Sequence, residues 1–340
     1  MQQFKYLAPL TSAALLLALT LLRRYAIHQE SPTTPSELST SFYANTCPNF
    51  PQIARSVIRF EVANDSRSSA SILKLHFRDC FAQGCDGSLL PQVGKERGDG
   101  RSTKGLKIIN NIKRAVETSC PETVSCADIL ALSARESVIA VSEVSIDLSY
   151  KCFLLFRNLQ LGGPSWTVEF GRRDNPSSAS VAAAVDAIPS PNLTATQLIE
   201  SFQKRGLSKR DLVALSGGHS IGQAQCSTFS ARLFNGTAGD SIDPALKSRL
   251  EKTCPPTALN RLNNLDPSPT TFDNLYFRAV QANQSLLFSD QQLLQSDLAG
   301  FVKEFANNQK AFFTAFANAM IKIGKLSPLT GGHGEIRASC

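Results

Sequence analysis

The feature that most constrains this chain is the recurrence of apolar residues at helical spacing. In the C-terminal segment 301–323, the apolar residues that repeat at this spacing are Phe301, Phe305, Phe312, Phe316, Met320 and Ile323. Shorter segments of the same kind are 53–60, 71–80, 106–116, 126–139, 196–202 and 211–215. Sustained strand alternation is scarce, and no solenoid-type repeat is visible. The sequence therefore predicts an all-α, or mainly α, fold, and 340 residues with 42% hydrophobic composition suffice for a sizeable core.

The N-terminal segment 1–30 is typical of a secretory signal peptide. Lys5 precedes an apolar run from Ala13 to Leu22, and polar sequence rich in Ser, Thr and Pro follows. We expect cleavage between residues 26 and 38. The pair Arg23-Arg24 directly after the run leaves an uncleaved anchor as the alternative, although the run is short for a membrane span.

The cysteine content agrees with export, because disulfides persist outside the cytosol. The chain has 9 cysteines, so eight can pair and one is left over. Four Asn-x-Ser/Thr sequons become meaningful in an exported chain, at Asn64, Asn192, Asn235 and Asn283.

The charge balance predicts an anionic partner surface. A formal net charge of +7 and a pI near 9.0 favour acidic polysaccharides such as those of a cell wall. No dense run of Lys and Arg with interleaved aromatic residues is present in the sequence, so nucleic acid is not predicted as a partner.

The segment 211–222 contains a candidate metal ligand. Ser208 stands three residues before Asp211, which is the spacing of a capping box, so a helix is expected to begin there and to end near Gly217-Gly218. His219 follows these glycines, which would let a flat, bulky partner approach the backbone closely while the imidazole reaches it. The alternative is a glycine C-cap followed by an ordinary histidine.

The segment 74–88 concentrates acidic residues, a hydroxyl, glycine and two cysteines. Asp79, Asp86 and Ser88, with carbonyls of the turn between them, could supply the oxygen ligands that Ca²⁺ prefers. A Cys80–Cys85 bridge would fix this loop. The alternative is a capped helix end with a small disulfide loop.

Several motifs in a fixed order make the chain similar to a known family. They are Phe42–Pro48 (FYANTCP), Leu75–Phe81 (LHFRDCF), Gly84–Ser88 (GCDGS), Thr123–Leu130 (TVSCADIL), Gly162–Trp166 (GGPSW), Gly171–Asp174 (GRRD), Asp211–His219 and Phe272–Phe277 (FDNLYF). Together they resemble the secretory plant haem peroxidases, the class III group, over residues 38–340. The resemblance implies one haem-b domain of about ten or more helices, in two halves that hold the haem between them, with a histidine as iron ligand.

The resemblance also implies roles for single residues. His219 matches the proximal haem ligand, Asp290 the aspartate that bonds the ligand's other nitrogen, and Pro189 a proline at the haem edge where aromatic donors dock. The implied reaction uses hydrogen peroxide to oxidise small phenolic donors. The implied protein is an extracellular monomer of the apoplast or cell wall.

Two calcium sites and four disulfides are implied in the same way. The distal calcium ligands would be Asp79, Ala82, Gly84, Asp86 and Ser88, with Glu96 as a water-linked partner. The proximal ligands would be Ser220, Asp266, Ser268, Thr271 and Asp273, although this chain is one residue short between Asp266 and Ser268. The disulfides would be Cys47–Cys120, Cys80–Cys85, Cys126–Cys340 and Cys226–Cys254, with Cys152 unpaired.

The chain departs from the family at the residues that activate peroxide. The family has an arginine and, four residues later, a histidine, where this chain has Lys74 and Arg78. Cleavage of the O–O bond needs a base, and Arg78 stays protonated. Lys74 provides a mobile point charge in place of a fixed fork of donors. His76 projects to another side of the helix and is not expected to substitute.

These departures predict haem binding through His219 with strongly weakened peroxide activation. The alternative is a catalytically silent secreted protein that binds haem, calcium or wall polysaccharide on the peroxidase scaffold. A third possibility is a decaying gene product, which an atypical insertion at residues 141–160 would favour. The insertion contains Cys152, begins with Val141, whose codons start with GT, and ends with Gln160, whose codon can be CAG, so a retained intron is a further hypothesis.

Overall fold

The computed structural model describes residues 38–93, 100–144, 163–177, 187–236, 240 and 242–340. The expected signal peptide 1–30, Glu96, Cys152 and positions 145–160 of the insertion lie outside these ranges. Among the described residues, no helix is long and apolar enough to cross a membrane.

Helices make up most of the described chain, which confirms the mainly α prediction. In chain order they are α1 (Phe50–Asn64), α2 (Ser68–Ala82), α3 (Gly100–Ser119), α4 (Cys126–Val144), α5 (Ala195–Gln203), α6 (Lys209–Ser216), α7 (Cys226–Phe234), α8 (Pro244–Thr253), α9 (Leu275–Gln281), α10 (Phe288–Gln291), α11 (Leu298–Asn307) and α12 (Gln309–Ile323). Short 3₁₀ turns cover Leu90–Gln92, Gly217–Ser220 and Gln292–Leu294. Two short strands, β1 (Gln223–Gln225) and β2 (Leu262–Asn264), pair antiparallel with Gln223 opposite Asn264.

The helices pack in two groups. In the first group α2 and α1 both lie against α4 and α3. In the second group α6 packs on α12, α11 and α5, and α9 packs on α11. Contact between α2 and α12 is limited, which leaves room for a cavity between the groups. A smaller core lies between α7 and α8.

A buried polar network holds the first group together. Arg172 donates from Nη1 to Asp128 Oδ1 at 2.8 Å, and the Tyr43 hydroxyl donates to Asp128 Oδ2 at 2.8 Å. Asp174 accepts from the backbone nitrogens of Cys126 at 3.0 Å and Ala127 at 2.9 Å. Its carboxylate thereby accepts from backbone N–H groups that have no partner within α4. Its negative charge also interacts favourably with the positive end of the helix dipole. These motif residues therefore stabilise the scaffold.

All four expected disulfides are present, which confirms the pairing. They are Cys47–Cys120, Cys80–Cys85, Cys126–Cys340 and Cys226–Cys254. The third closes a loop across 214 positions and ties the first residue of α4 to the C-terminus. Such a long-range link restricts the unfolded chain most strongly.

Two helix boundaries differ from those the periodicity predicts. The segment 301–323 is not one helix, because α11 ends at Asn307 and Asn308 adopts an extended backbone with φ −140° and ψ 91°. The Asn308 side chain accepts from Ala311 N at 2.9 Å and so caps α12. By contrast, α4 is longer than predicted. It continues past residue 139 to Val144 and includes the first four positions of the insertion 141–160.

Candidate active site

A cavity of about 590 Å³ lies between α2 and the turn Gly217–Ser220. Its wall is mostly apolar and includes Leu73, Phe77, Leu198, Phe202, Leu212, Phe316 and Met320. Lys74 and Arg78 line one side, and His219 and Asp290 also line the cavity. This size and this lining, apolar with a few converging polar groups, are typical of a cofactor or small-molecule site.

The capping box predicted before His219 is confirmed. Ser208 accepts from Asp211 N, and Asp211 Oδ2 accepts from Ser208 N at 2.8 Å, which fixes the start of α6. Gly217 is the C-cap of α6, as the glycine pattern suggested, but it has φ −63° and is not left-handed, and the chain continues as a 3₁₀ turn. His219 lies on that turn, so its position is fixed by the rigid helix before it.

The two glycines before His219 have different surroundings. A Cβ on Gly217 would lie 2.4 Å from a ring carbon of Phe312, so its missing side chain serves internal packing. A Cβ on Gly218 would meet nothing closer than Leu73 at 3.5 Å, and Gly218 lines the cavity. The sequence suggested that both glycines let a flat partner approach the backbone closely. In the structure only Gly218 can do so.

His219 is held by an acidic partner. Its Nδ1 lies 3.0 Å from Asp290 Oδ1, which also accepts from the Tyr276 hydroxyl at 2.9 Å. Burial lowers the pKa of His219, but the charge and hydrogen bond of Asp290 outweigh burial and raise it overall. The bond at Nδ1 leaves Nε2 as the nitrogen that can ligate a metal. Asp290 Oδ2 is buried without a hydrogen-bond partner, so the carboxylate bonds through one oxygen.

The opposite side of the cavity is cationic. Lys74 and Arg78 stand four residues apart on α2 and both line the cavity. The charge of Lys74 extends to His219, where it acts to lower the pKa of the imidazole. Arg78 is 8% exposed, so its guanidinium lies in a largely desolvated position. Neither side chain can accept a proton from a substrate in the way that a neutral imidazole does.

His76 occupies another environment on the same helix. It is buried, its Nδ1 lies 3.6 Å from Cys80 Sγ, and it borders a separate small cavity with Arg172. Burial and the charge of Arg172 lower the pKa of His76 to about 3. His76 is therefore neutral, buried and away from the residues that surround His219.

The predicted distal calcium residues meet in a buried turn after α2. Asp79 Oδ2 accepts from Gly87 N at 2.9 Å, and Asp86 Oδ1 accepts from Ser88 N at 3.0 Å. Burial, with the charge of Asp86, raises the pKa of Asp79 to about 7. Two buried carboxylates so close together favour a bound cation. Ala82 ends α2, and Gly84 follows with φ 128°, at a position where an added Cβ would collide with Ser327 O.

The predicted proximal calcium residues also lie together. Ser268 Oγ donates to Asp266 Oδ1 and Asp273 Oδ2, each at 2.9 Å. Ser220, the residue after His219, donates from Oγ to the carbonyl oxygens of Thr271 at 3.2 Å and Asp273 at 2.9 Å. Burial raises the pKa of Asp266 to about 7, and its buried Oδ2 has no hydrogen-bond partner. An oxygen-binding cation would satisfy this atom.

Carboxylates alone do not complete either calcium set. Among the described residues, no three His, Cys, Asp or Glu side chains gather in a group that could hold a metal ion. A cation bound by either predicted set would therefore need hydroxyl and carbonyl oxygens in addition to two aspartates, and such ligands suit Ca²⁺ better than zinc.

Pro189 also lines the cavity, in a segment that Arg205 secures. Arg205 donates to the carbonyl oxygens of Ala187 at 3.0 Å and Phe81 at 2.7 Å. Its guanidinium lies 3.9 Å from the ring centroid of Phe81, which adds a cation–π contact. Arg205 thus connects the Pro189 segment to the end of α2.

Tyr276 and Arg205 also position the site, and neither was predicted from the sequence. Tyr276 belongs to the motif Phe272–Phe277, but spacing along the chain does not reveal its bond to Asp290. Arg205 belongs to no motif, and its contacts are made to carbonyl oxygens, which leave no signal in the sequence.

Comparison with known proteins assigns the chain to a family. A peroxidase family model matches residues 54–308. Peroxidase 15 of Ipomoea batatas is 42% identical over 332 residues, which cover 93% of this chain and 95% of that protein. Peroxidase P7 of Brassica rapa subsp. rapa is 43% identical over 316 residues, with 89% and 99% covered, and Peroxidase 22.3 of Oryza sativa subsp. japonica is 42% identical over 313 residues, with 90% and 91% covered. A match of this extent shows that the chain belongs to the class III plant peroxidases, a family of oxidoreductase enzymes.

Proposed function

We propose that this peroxidase binds haem b through His219 and that its reaction with hydrogen peroxide is strongly weakened by Lys74 and Arg78. The observation that carries the proposal is the cavity itself, in which an imidazole paired with a buried aspartate faces two cationic side chains.

The residues around the cavity fit a haem. The apolar wall suits a large aromatic ring system, and Gly218 leaves the backbone beside His219 open to close approach. When bound, haem supplies an iron that is oxidised by peroxide and reduced again by organic donors. The Asp290 bond makes the His219 imidazole more electron-donating and fixes its orientation.

The side chains on α2 determine how well peroxide is activated. A base must remove a proton from one peroxide oxygen and return it to the other. Arg78 and Lys74 can stabilise negative charge on oxygen, but they cannot accept that first proton at neutral pH. We expect the missing base to slow the peroxide step by roughly 10² to 10⁴.

Small phenolic compounds are the proposed reducing donors. Ile188, Pro189 and Phe202 border the cavity and offer apolar surface to an aromatic ring. A phenol bound there would deliver electrons one at a time to the haem edge.

Two Ca²⁺ ions are the proposed structural ions. The unsatisfied Asp266 Oδ2 and the buried Asp79–Asp86 pair support an oxygen-liganded cation in each loop. The proximal ion would hold Ser220 and hence the turn that carries His219.

We propose further that residues 1–30 are a removed signal peptide, that residues 38–340 form one haem peroxidase domain, and that the protein acts as an extracellular monomer. The four disulfides and the net charge of +7 support an apoplastic protein that associates with acidic wall polysaccharide. Asn64, Asn192 and Asn235 are exposed and suit glycosylation. Asn283 is half-buried and accepts from Gln291 at 3.0 Å, so we expect it to remain unmodified.

A second candidate is a silent binding protein on the same scaffold, which the loss of the distal base favours. The retained His219–Asp290 bond argues against it, because a carboxylate bonded to Nδ1 would tune an imidazole that ligates iron.

Haem reconstitution tests the proposal. The protein should take up one haem with a histidine-ligated spectrum, and His219→Ala should abolish that spectrum. His333→Ala is the matched control, since His333 is exposed near the C-terminus. A folded protein that takes up no haem would contradict the proposed haem site and favour a silent protein that binds calcium or wall polysaccharide.

A further inference from the structure

We infer that a glycan attached to Asn64 folds back over Phe60 and covers its ring. Asn64 begins the sequon Asn64-Asp65-Ser66, so the inference rests on the proposed secretion and glycosylation and names the surface that this glycan contacts. Phe60 is 67% exposed, more than any other large apolar side chain in the described part of the chain. A single exposed apolar residue is common on protein surfaces, but here an exposed sequon lies one helical turn away.

Helix α1 presents Phe60 and Asn64 together on its solvent side. The buried residues of the helix recur at every fourth position, at Phe50, Ala54, Ile58 and Val62. Phe60 and Asn64 are each two positions from that series, so they point to the opposite side of the helix. They are four positions apart and therefore neighbours on that side. Because helical side chains lean toward the N-terminus, the Asn64 side chain extends over the turn that carries Phe60.

The end of α1 fixes the point at which the sugar is attached. Asp65 N donates to Glu61 O at 3.0 Å, so Asn64 lies within a complete last turn. The Asp65 carboxylate accepts from Arg67 N at 3.0 Å and from Arg67 Nε at 2.9 Å, and it pairs with Lys104. The backbone is thereby held on both sides of Asn64.

The first sugar of an N-linked glycan has an apolar face that fits an exposed aromatic ring. The C–H groups of its pyranose ring carry a small positive charge, and the face of the Phe60 ring is negative. The hydroxyl groups of the sugar remain in water. The contact removes apolar surface from water only where α1 holds the two residues one turn apart, so it stabilises the folded chain relative to the unfolded chain.

Thermal unfolding of the full secreted protein, purified from plant cells, tests the inference. Asn64→Gln removes the attachment point, Ser66→Ala removes the sequon and keeps Asn64, and Phe60→Ser removes the ring. Asn235→Gln is the matched control, because Asn235 directly follows Phe234, which is 43% exposed, and adjacent positions do not face each other. Each glycan is removed both with Phe60 present and in the Phe60→Ser background. Mass spectrometry of glycopeptides measures occupancy.

With Phe60 present, Asn64→Gln and Ser66→Ala should each lower the unfolding temperature by roughly 1–3 °C, and in the Phe60→Ser background by less than half as much. Asn235→Gln should shift it equally in both backgrounds. An occupied Asn64 whose removal has the same effect with and without Phe60 would overturn the inference and leave the proposed glycosylation intact. A secreted protein without a glycan at Asn64 would contradict the proposed glycosylation and the inference together.

Discussion

At the scale of single residues, the proximal side of the site depends on how Asp290 divides its hydrogen bonds. One oxygen, Oδ1, accepts from both the Tyr276 hydroxyl and the His219 imidazole. Each donor reduces the negative charge available to the other. Tyr276 therefore limits how strongly Asp290 can polarise His219, although it does not contact the cavity.

Replacement of Tyr276 by Phe should lower the reduction potential of the bound haem iron. Without the phenol, Asp290 bonds His219 more strongly, and a more electron-donating imidazole stabilises ferric iron. We expect a decrease on the order of tens of millivolts. Spectroelectrochemical titration of the reconstituted variant measures the change. An unchanged or higher potential would show that Tyr276 has only a packing role.

Residue roles on the two sides of the site were predictable to different degrees. His219 and Asp290 lie 71 positions apart, so their contact could be expected only from the resemblance to the family. The spacing of Lys74 and Arg78 predicted that they share one helix face, but their departure from an arginine and a histidine was visible only through the resemblance to the family. Tyr276 was hidden, since a buried phenol can turn toward many partners.

At the scale of elements, the turn Gly217–Ser220 holds His219, the proposed haem ligand, directly after the end of α6. The capping box fixes the start of α6, and Ser220 is bonded to the loop that carries Asp273. His219 is therefore held from both directions along the chain. Mutation of the two glycines in the turn can separate internal packing, which involves Gly217, from access to the cavity, which involves Gly218.

Gly217→Ala and Gly218→Ala should have opposite consequences. The Gly217 methyl would overlap the Phe312 ring, so we expect a loss of about 1–3 kcal/mol in the free energy of unfolding. The Gly218 methyl fits the protein but projects toward the cavity, so stability should hold while haem affinity falls. Urea unfolding and haem titration of both variants measure these effects. Equal loss of stability in the two would contradict the assignment.

Helix type was predictable and helix breaks were not. Apolar spacing predicted α2, α4 and α6 because each presents a buried face at regular intervals. The same spacing runs through Asn308, where a side-chain cap begins a new helix and the apolar pattern does not change. The spacing of apolar residues shows which helix face is buried. The end of one helix and the start of the next depend on local hydrogen bonds, which that spacing does not reveal.

At the scale of the whole molecule, four disulfides and two acidic loops bear on the stability of the described domain. The disulfide pairing followed from family resemblance, since spacing alone allows many arrangements. The buried pair Asp79–Asp86 adds negative charge to the loop after α2, and buried Asp266 with half-buried Asp273 adds it to the loop beside Ser220. Stability of the whole domain should therefore depend on a divalent cation.

Removal of calcium by a chelator should lower the unfolding temperature of the purified protein. Added CaCl₂ should restore it, with a stabilisation of about 2.7 kcal/mol when calcium is at a hundred times its dissociation constant. MgCl₂ should restore less, because Mg²⁺ demands a stricter geometry. Asp266→Asn should reduce the calcium response without abolishing it. Differential scanning calorimetry provides the comparison, and an unfolding temperature unaffected by chelator and calcium would exclude both ions.

We propose that the helical scaffold and the His219–Asp290 pair support a peroxidase, and that Lys74 and Arg78 limit its reaction with peroxide. Rapid-mixing absorption spectroscopy of the reconstituted protein with hydrogen peroxide tests it most directly. The double variant Lys74→Arg/Arg78→His should react at least about 10²-fold faster than the unaltered chain, because it regains a base and a fixed fork of donors. Equal rates for the two proteins would contradict the claim.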